Sequence, residues 1–507
     1  MWLDTTRPKI RALMGAATAR WSPLVLGSVA LATLSACANY AGIAPPQAHA
    51  LDAQALGLPS AAPADATRTA ALDTRWWLAF ADPQLNSLID QALSNHPSLR
   101  VAQARLARAQ AGSDAVGAAE LPQANLGTDL TRQRFSAHGM YPAPLAGSVQ
   151  DTGTLQANAS WELDFFGKNR AALDAAIGQV RAAQADAQAA RMLLASNVAR
   201  SYFALVRLNA HLALAQRTLA QREQAKALVQ DRVNAGLDTQ LELQQSESAL
   251  PDARLQIEAL QEQQALAQNA LAALISKPNT APAHELPDYS AIKTIALANT
   301  IPIDLLGRRA DIAAARWRVE AATHDMDNAK TLFYPNINLT AFAGFSSIGF
   351  DRLLQSGSEQ WGVGPAIRLP LFEGGRLRAN LRGKTADLDA AIESYNGLVI
   401  DAVREVGDQL ASAQAITRQQ DQQRAAQTSA EAAYAIALQR YRAGLGNYLS
   451  VLSAETGVLA QRRQAVDLAA RALDTQVLLV RALGGGYTPE SSTPLALAPT
   501  SAQPQHP

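Results

Sequence analysis

Side chains that could perform catalysis are present in the sequence, but they do not form the combinations that catalysis requires. The seven histidines are scattered over the 507 residues, and none has the spacing of a metal-ligand set. Glu162 and Asp164 are close in sequence, yet they fall on the polar face of a predicted strand. The glycine clusters Gly362-x-Gly364 and Gly484-Gly-Gly486 lack the strand–turn–helix context of a phosphate loop. We therefore expect no enzyme, no cofactor and no metal site.

The only cysteine, Cys37, is the residue at which we expect a covalent modification. A single cysteine excludes an internal disulfide framework and a cysteine-based zinc site. A basic segment precedes an apolar stretch over residues 21–36 that ends in small residues, which is typical of an export signal. Leu34-Ser-Ala-Cys37 resembles the lipobox of bacterial lipoproteins, in which the cysteine is lipidated and becomes the mature N-terminus. We predict a signal peptide over residues 1–36 and a lipid on Cys37; the alternative is an ordinary signal peptide with a chance cysteine.

Composition favours a helical protein that does not bind nucleic acid. The 44 basic residues balance the 44 acidic ones, which argues against a nucleic-acid-binding surface. Aromatic residues make up only 5%, while alanine, leucine and glutamine are abundant, a mixture that favours helix. After the signal no run of 18 apolar residues occurs, so any membrane crossing must use strands. Residues 37–70 are rich in alanine, proline and aspartate, and we predict that they form a flexible tether. We predict that the proline-rich residues 487–507 form a disordered tail.

The rest of the sequence contains an internal duplication. Arg232-Val-Asn-Ala-Gly236-Leu recurs as Arg440-Tyr-Arg-Ala-Gly444-Leu, at an offset of 208 residues. The same offset relates Glu247 to Glu455. We predict two repeats, residues 71–280 and 281–486, each with the order helix, strand, strand, long helix, tight turn and return helix.

Each repeat contains a long segment without proline. Residues 168–235 and 376–443 would each form a helix of roughly 100 Å at 1.5 Å per residue. The alternative, several shorter helices folded into a bundle, would need clusters of turn residues that these segments lack. Gly236 and Gly444 predict the reversals of the chain, since glycine supplies the left-handed residue that ends a helix. Return helices are expected over 239–276 and 447–484, the first of them kinked or interrupted at Pro251.

Alternating apolar and polar residues predict strands that are long enough to cross a bilayer when tilted. The segments are 155–165, 337–345 and 361–371, with a weaker candidate at 123–134. Alternation alone would also suit a soluble, half-buried sheet. The export signal favours the membrane, and Trp161 and Trp361 stand where an aromatic girdle could lie. Four strands cannot close a membrane barrel, so spanning the membrane would require an oligomer.

Several motifs together resemble those of the TolC-type outer-membrane efflux proteins, in the lipoprotein branch that includes OprM and NodT. They cover nearly the whole mature chain: Trp161-Glu-Leu-Asp-Phe-Phe-Gly167, Phe372-Glu-Gly-Gly375-Arg, Leu305-Leu-Gly-Arg-Arg-Ala-Asp311 and Phe333-Tyr-Pro-Asn-Ile337. The family commonly has Arg-Pro-Asp where this chain has Arg309-Ala-Asp311, a difference that we expect to affect structure only.

The resemblance implies a mostly helical homotrimer with a β part. Each chain would give four strands to a twelve-stranded outer-membrane barrel, which a long periplasmic α-helical barrel continues. The hairpin tips at Gly236 and Gly444 would dock onto a periplasmic adaptor that links the channel to an inner-membrane pump. Passage would be passive. Ala38 follows the cysteine, whereas aspartate there marks retention in the inner membrane, so a lipid-anchored outer-membrane location is expected.

The resemblance also implies an aperture gate at the second tip. Relatives carry a tyrosine before the glycine, an apolar ring, and one or two aspartates that face the axis. Here the corresponding residues are Tyr441, Leu449, Ser450 and Ser453. Since a threefold ring of carboxylates would attract cations, its replacement by serines predicts a weaker cation preference. The alternative is that these serines only face neighbouring helices.

Two other functions are possible. A periplasmic adaptor lipoprotein also has a helical hairpin, but it would carry one hairpin beside compact β domains, not two. The same fold could instead serve protein secretion, and the sequence names neither the exported substrate nor the pump.

Overall fold

The computed structural model describes residues 40, 42–51, 73–278, 286–287, 289–295 and 307–487. The predicted signal peptide, Cys37, the boundary between the predicted repeats and residues 488–507 lie outside the described residues. Across the described ranges, no helix combines the length and the apolar character needed to cross a membrane.

Helices make up most of the described residues. They are α1 (Pro83–Asn95), α2 (Pro97–Gly117), α3 (Lys168–Asn234), α4 (Gln240–Leu274), α5 (Ala310–Thr331), α6 (Arg376–Arg442) and α7 (Tyr448–Ala482). The two long helices, α3 and α6, have 67 residues each, and the return helices, α4 and α7, have 35 each. Each long segment is thus a single helix of roughly 100 Å, as predicted, and not a set of shorter ones.

Four strands form one antiparallel sheet in the order β1 (Gln123–Arg134), β2 (Val149–Glu162), β3 (Asn336–Ile348) and β4 (Glu359–Arg368). The weak candidate strand is therefore confirmed as β1. The predicted C-terminal ends at residues 165 and 371 are wrong, and β2 also starts six residues before the predicted residue 155. The chain leaves β2 after Glu162 in a turn in which the Phe165 amide donates to Leu163, and β4 ends two residues before Pro370, which has no amide hydrogen to donate.

The register gives the sheet one apolar and one polar face. Leu155 lies opposite Phe345, and Trp361 lies opposite Ala343, all on the apolar face. The polar face carries a row of amides that crosses the strands: the Gln360 amide nitrogen donates to Gln156 at 2.8 Å. From there the row continues through Asn158 to Asn125.

Glycine at position 344 makes this row possible. Gly344 lies opposite both Gln156 and Gln360, and a Cβ at this position would lie 2.2 Å from the carbonyl oxygen of Leu155. The bare backbone therefore lets the Gln360 side chain reach across β3. On the same face, the ring of Phe342 occupies the space beside Gly362.

The chain divides into two compact units. Of the described residues, one unit comprises 40, 42–45, 117–171 and 325–385, and contains the sheet. The other unit comprises the described residues of 46–116, 172–324 and 386–487, and contains most of the helical residues. Its main core packs the buried aromatic residues Trp76, Trp77 and Phe80 against the middle of α3, where Tyr202 and Phe203 lie, together with α7.

The start of α5 is held by charges. Arg309 forms a bidentate pair with Asp311 at 2.7 and 3.1 Å, and also bonds Glu405 of α6 at 2.9 Å. Ala310, where the family commonly has proline, is buried between them. Arg309 and Asp311 therefore provide side-chain contacts at this helix start, and the effect of alanine in place of proline stays a prediction.

Two further expectations need correction. Helix α4 continues through Pro251, so the predicted interruption is wrong. Part of the predicted tether is also bound and not free. The amides of Gln47 and Ala48 donate to Asp389 of α6 at 2.9 and 3.0 Å, and the amide of Leu51 donates to Asn396 at 2.8 Å.

Candidate functional site

The two reversals that the sequence predicted are tight turns of the same kind. Gly236 and Gly444 have φ of 72° and 73°, which side chains rarely adopt. The amide of Leu237 donates to Arg232, and the amide of Leu445 donates to Arg440, both at 2.8 Å, five residues back. These bonds satisfy carbonyls at the ends of α3 and α6 and turn the chain sharply.

Each return helix starts with a side-chain cap, but the two caps differ. Thr239 and Glu242 form a reciprocal capping box at the start of α4. At the start of α7, Asn447 accepts from the amide of Ser450 at 3.0 Å and from its hydroxyl at 2.6 Å. Ser450 is therefore engaged in closing the helix start.

A three-residue cluster, which we call the tip lock, joins the two turns. The guanidinium of Arg232 donates twice to the carboxylate of Asp238, at 2.9 and 3.3 Å. The hydroxyl of Tyr441, from the end of α6, donates to the same carboxylate. The Arg232 guanidinium carbon also lies 4.6 Å from the centre of the Tyr441 ring, which adds a cation–π contact. The lock therefore fastens the end of α6 to the turn between α3 and α4.

Burial and charge fix the protonation states in the lock. Hydrogen bonding from Arg232, and then from Tyr441, holds the pKa of Asp238 below its usual range despite partial burial. Burial, reinforced by the bond to Asp238, raises the pKa of Tyr441. At neutral pH the carboxylate is therefore an ionised acceptor and the phenol a neutral donor, the strong form of this hydrogen bond.

An apolar cluster supports the lock from the side. Tyr441 is only 1% exposed, and its ring lies 5.6 Å from that of Tyr448 at the start of α7. Val229, Leu243 and Val451 complete the buried cluster. Burial raises the pKa of Tyr448 to about 12. All four helices of the two hairpins thus contribute side chains, so the end of each hairpin is packed against the other.

A second charged contact lies farther along the hairpins. Arg222 of α3 bonds the buried Glu455 of α7 at 3.1 Å and the carbonyl of Ala249 in α4 at 3.0 Å. One guanidinium therefore links three helices. Because its partner is buried, loss of Arg222 would leave a buried carboxylate unpaired.

The structure places the predicted site residues in three kinds of position. Gly236 and Gly444 are in the turns, and Tyr441 is buried in the lock. Leu449 is 61% exposed, and Ser453 is exposed as well. Their role in an aperture stays a prediction, as does lipidation of Cys37.

Sequence reasoning missed two members of the lock, Arg232 as an ion-pair partner and Asp238 altogether. The available signal was local, an arginine and an aspartate six residues apart on either side of a turn glycine. Nothing in that spacing indicates that a tyrosine 203 residues away shares the carboxylate. Among the described residues, no cluster of histidine, cysteine, aspartate or glutamate is arranged to hold a metal ion.

Comparison with known proteins identifies the class. Residues 88–277 and 301–485 match the family described as outer membrane efflux protein. Fusaric acid resistance protein FusA of Burkholderia cepacia is 40% identical over 377 residues, 72% of this chain and 71% of that protein. Toluene efflux pump outer membrane protein TtgF of Pseudomonas putida is 35% identical over 431 residues, 85% of this chain and 88% of that protein.

Solved structures agree with this result. The outer membrane protein VceC from Vibrio cholerae superimposes with a TM-score of 0.77 at 37% identity, covering 82% of this chain and all of VceC. The chain belongs to the outer membrane efflux protein family. It is a TolC-type outer-membrane efflux channel, as the motifs predicted.

Proposed function

We propose that three copies of this chain form the outer-membrane duct of a tripartite efflux system. Each copy gives its four strands to a twelve-stranded barrel, and small molecules leave passively after an inner-membrane pump delivers them through a periplasmic adaptor. The observation that carries this proposal is the sheet. Its four strands have one apolar and one polar face, as a barrel wall between lipid and water requires.

The edges of the sheet support an oligomer. β1 and β4 are the outer strands of the four, and both are long, with 12 and 10 residues. Open edges are not tolerated in lipid, so strands of neighbouring copies would pair with them. The equal lengths of α3 and α6, and of α4 and α7, support the internal duplication that the 208-residue offset predicts.

The tip lock is the proposed gate. The bond from the Tyr441 hydroxyl to Asp238, together with the cation–π contact between Arg232 and the Tyr441 ring, joins the two helical hairpins, so opening must break these contacts. Leu449, Ser450 and Ser453 are proposed to face the aperture, with Gly236 and Gly444 shaping the turns to which the adaptor docks. Covalent lipid on Cys37 is proposed to anchor the chain in the outer membrane.

Efflux is tested by deleting the protein from the cells that produce it. The names of the relatives suggest fusaric acid and toluene as probes. Deletion should make growth more sensitive to at least one of these compounds, and restoring the wild-type chain should reverse the effect. Unchanged sensitivity to these and to a wider panel of toxic organic compounds would contradict the proposal.

A further inference from the structure

The two turns present surfaces of similar shape. We call residues 231–242 the first tip and residues 439–450 the second tip; they correspond at the 208-residue offset. Each exposes a leucine directly after the turn glycine: Leu237 is 65% exposed and Leu445 is 70% exposed. Each tip therefore offers one apolar contact in the same position.

Their charges, however, are opposite. The first tip has three carboxylates and one guanidinium, Asp231, Asp238 and Glu242 against Arg232, for a net charge of −2. The second tip has two guanidiniums, Arg440 and Arg442, and no carboxylate, for a net charge of +2. The glutamate that caps α4 is replaced by Ser450 in α7, and Asp238 is replaced by Gly446.

The internal pairing of the lock leaves this difference in charge unchanged. Arg232 and Asp238 neutralise each other and are largely buried, at 12% and 10% side-chain exposure. Asp231, Arg440 and Arg442 are exposed. The described residues contain no ion pair that joins either arginine of the second tip to a carboxylate. Arg440 donates only to the carbonyl of Leu445, at 3.3 Å.

These charges form no direct ion pair with each other across the two tips of the described chain. Tyr441 and Asp238 are in contact, so the two tips are neighbours, yet Arg440 and Arg442 pair with neither Asp231 nor Glu242. A membrane surface, which carries charge of one sign, would repel one of the two tips. A protein with charges of both signs would suit both tips and would bury the leucines as well.

We propose that the tips are a docking surface for a protein that presents basic side chains to the first tip and acidic side chains to the second, around Leu237 and Leu445. This rests on the proposed function, in which a periplasmic adaptor reaches these turns. In a trimer the net charge of the tips would alternate between negative and positive around the end of the helical barrel. Identical charged contacts at the two kinds of tip are therefore excluded: the partner must present side chains of opposite charge to the first and second tips, although both tips offer the same leucine.

Direct binding uses two designed helical hairpins that differ only in the turn, one carrying glutamates and the other lysines. The glutamate hairpin should bind the detergent-solubilised full chain, more weakly at high salt. Arg440→Glu with Arg442→Glu should reduce this affinity about tenfold, a difference of about 1.4 kcal/mol. Asp231→Lys should instead reduce the affinity of the chain for the lysine hairpin. Arg424→Glu and Glu258→Lys, exposed reversals on α6 and α4 outside the tips, are the matched controls.

Hairpins that bind equally to wild type and reversed tips, or a glutamate hairpin that fails to bind wild type, would overturn the proposal. A second arm addresses pairing between neighbouring copies. It uses an exchange variant with Asp231→Lys, Glu242→Gln, Arg440→Glu and Arg442→Gln, which changes the first tip from −2 to +1 and the second from +2 to −1; glutamine at 242 can still form the capping box. Docking by a partner predicts wild-type conductance in planar bilayers but lost resistance to toxic compounds in cells.

The proposal would be overturned if reversal of the second tip alone raised the conductance while the exchange variant kept wild-type conductance and wild-type resistance. That result would show that each tip pairs with the tip of a neighbouring copy and not with a partner protein. Failure of the proposed function itself would look different. In that case deletion of the wild-type chain would not change sensitivity, whatever charges its tips carry.

Discussion

At the scale of single residues, the tip lock determines how firmly the two hairpins are held together. Tyr441 is nearly fully buried, and its hydroxyl donates to an ionised carboxylate. This hydrogen bond is therefore stronger than one between two neutral groups. Hydrogen bonds to charged groups contribute about 1.5–3 kcal/mol. One hydroxyl can therefore shift the balance between closed and open hairpins substantially.

Tyr441→Phe keeps the ring and removes the hydroxyl. If the lock closes the aperture, the open population should rise about tenfold or more, because each 1.4 kcal/mol is a factor of ten. Single-channel recording in planar bilayers measures this increase directly. Tyr434→Phe is the matched control, since Tyr434 packs at the edge of the same cluster but is no part of the lock. Equal conductance for both variants would contradict the role of the lock.

The response of the lock to pH follows from its two titrating groups. Asp238 has a lowered pKa, so its contribution is complete above the ordinary aspartate value of about 3.9 and is lost as pH falls through the lowered value. Tyr441 has a raised pKa, so its contribution is complete below the ordinary tyrosine value of about 10 and is lost as pH rises through the raised one. Conductance should therefore stay constant between about pH 5 and pH 8. A steep change within that range would show that another group controls opening.

Residue-level prediction from sequence succeeded where the information is local. Turn glycines are recognisable because few other residues adopt positive φ, and Gly236 and Gly444 are both where the sequence placed them. The carboxylate of the lock was missed because its partner Tyr441 comes from a different hairpin. Such contacts depend on how helices pack, which single-sequence periodicity does not encode.

At the scale of elements, the long helices were predictable because proline and turn clusters are absent from them. The ends of the strands were harder to predict from the sequence. Alternation continues past Glu162 to Phe165, although the chain there has already left the sheet. An extended loop can keep a period of two, so only the hydrogen bonds determine where a strand ends.

Gly344→Ala tests the most crowded point of the sheet. The added Cβ would collide with the backbone of β2, so β2 and β3 must shift, at a cost of about 1–3 kcal/mol. Gly364→Ala is the matched control, because a Cβ at this glycine of the same face meets nothing within 4 Å. The yield of folded protein after extraction from membranes, together with its resistance to heat, should fall for the first variant and not for the second. Equal behaviour would show that the sheet relaxes easily.

At the scale of the whole molecule, the anchor is the part that the sequence alone predicts and the described residues do not include. Cys37→Ser should abolish incorporation of labelled palmitate and change the mass of the mature N-terminus. With only one cysteine in the chain, no other thiol can substitute. Mass spectrometry of the wild type beside the variant decides this. Label that persists in the variant would rule out lipidation at Cys37.

The proline in α4 gives the two hairpins different mechanical properties. Pro251 has no amide hydrogen, so the carbonyl four residues before it loses its helical partner. At the same offset, α7 has Leu459, which is buried and compatible with an unbroken ladder. A helix that lacks one bond of its ladder bends at lower energetic cost at that point. The first hairpin therefore has, at Pro251, a point of lower resistance to bending that the second hairpin lacks at the same offset.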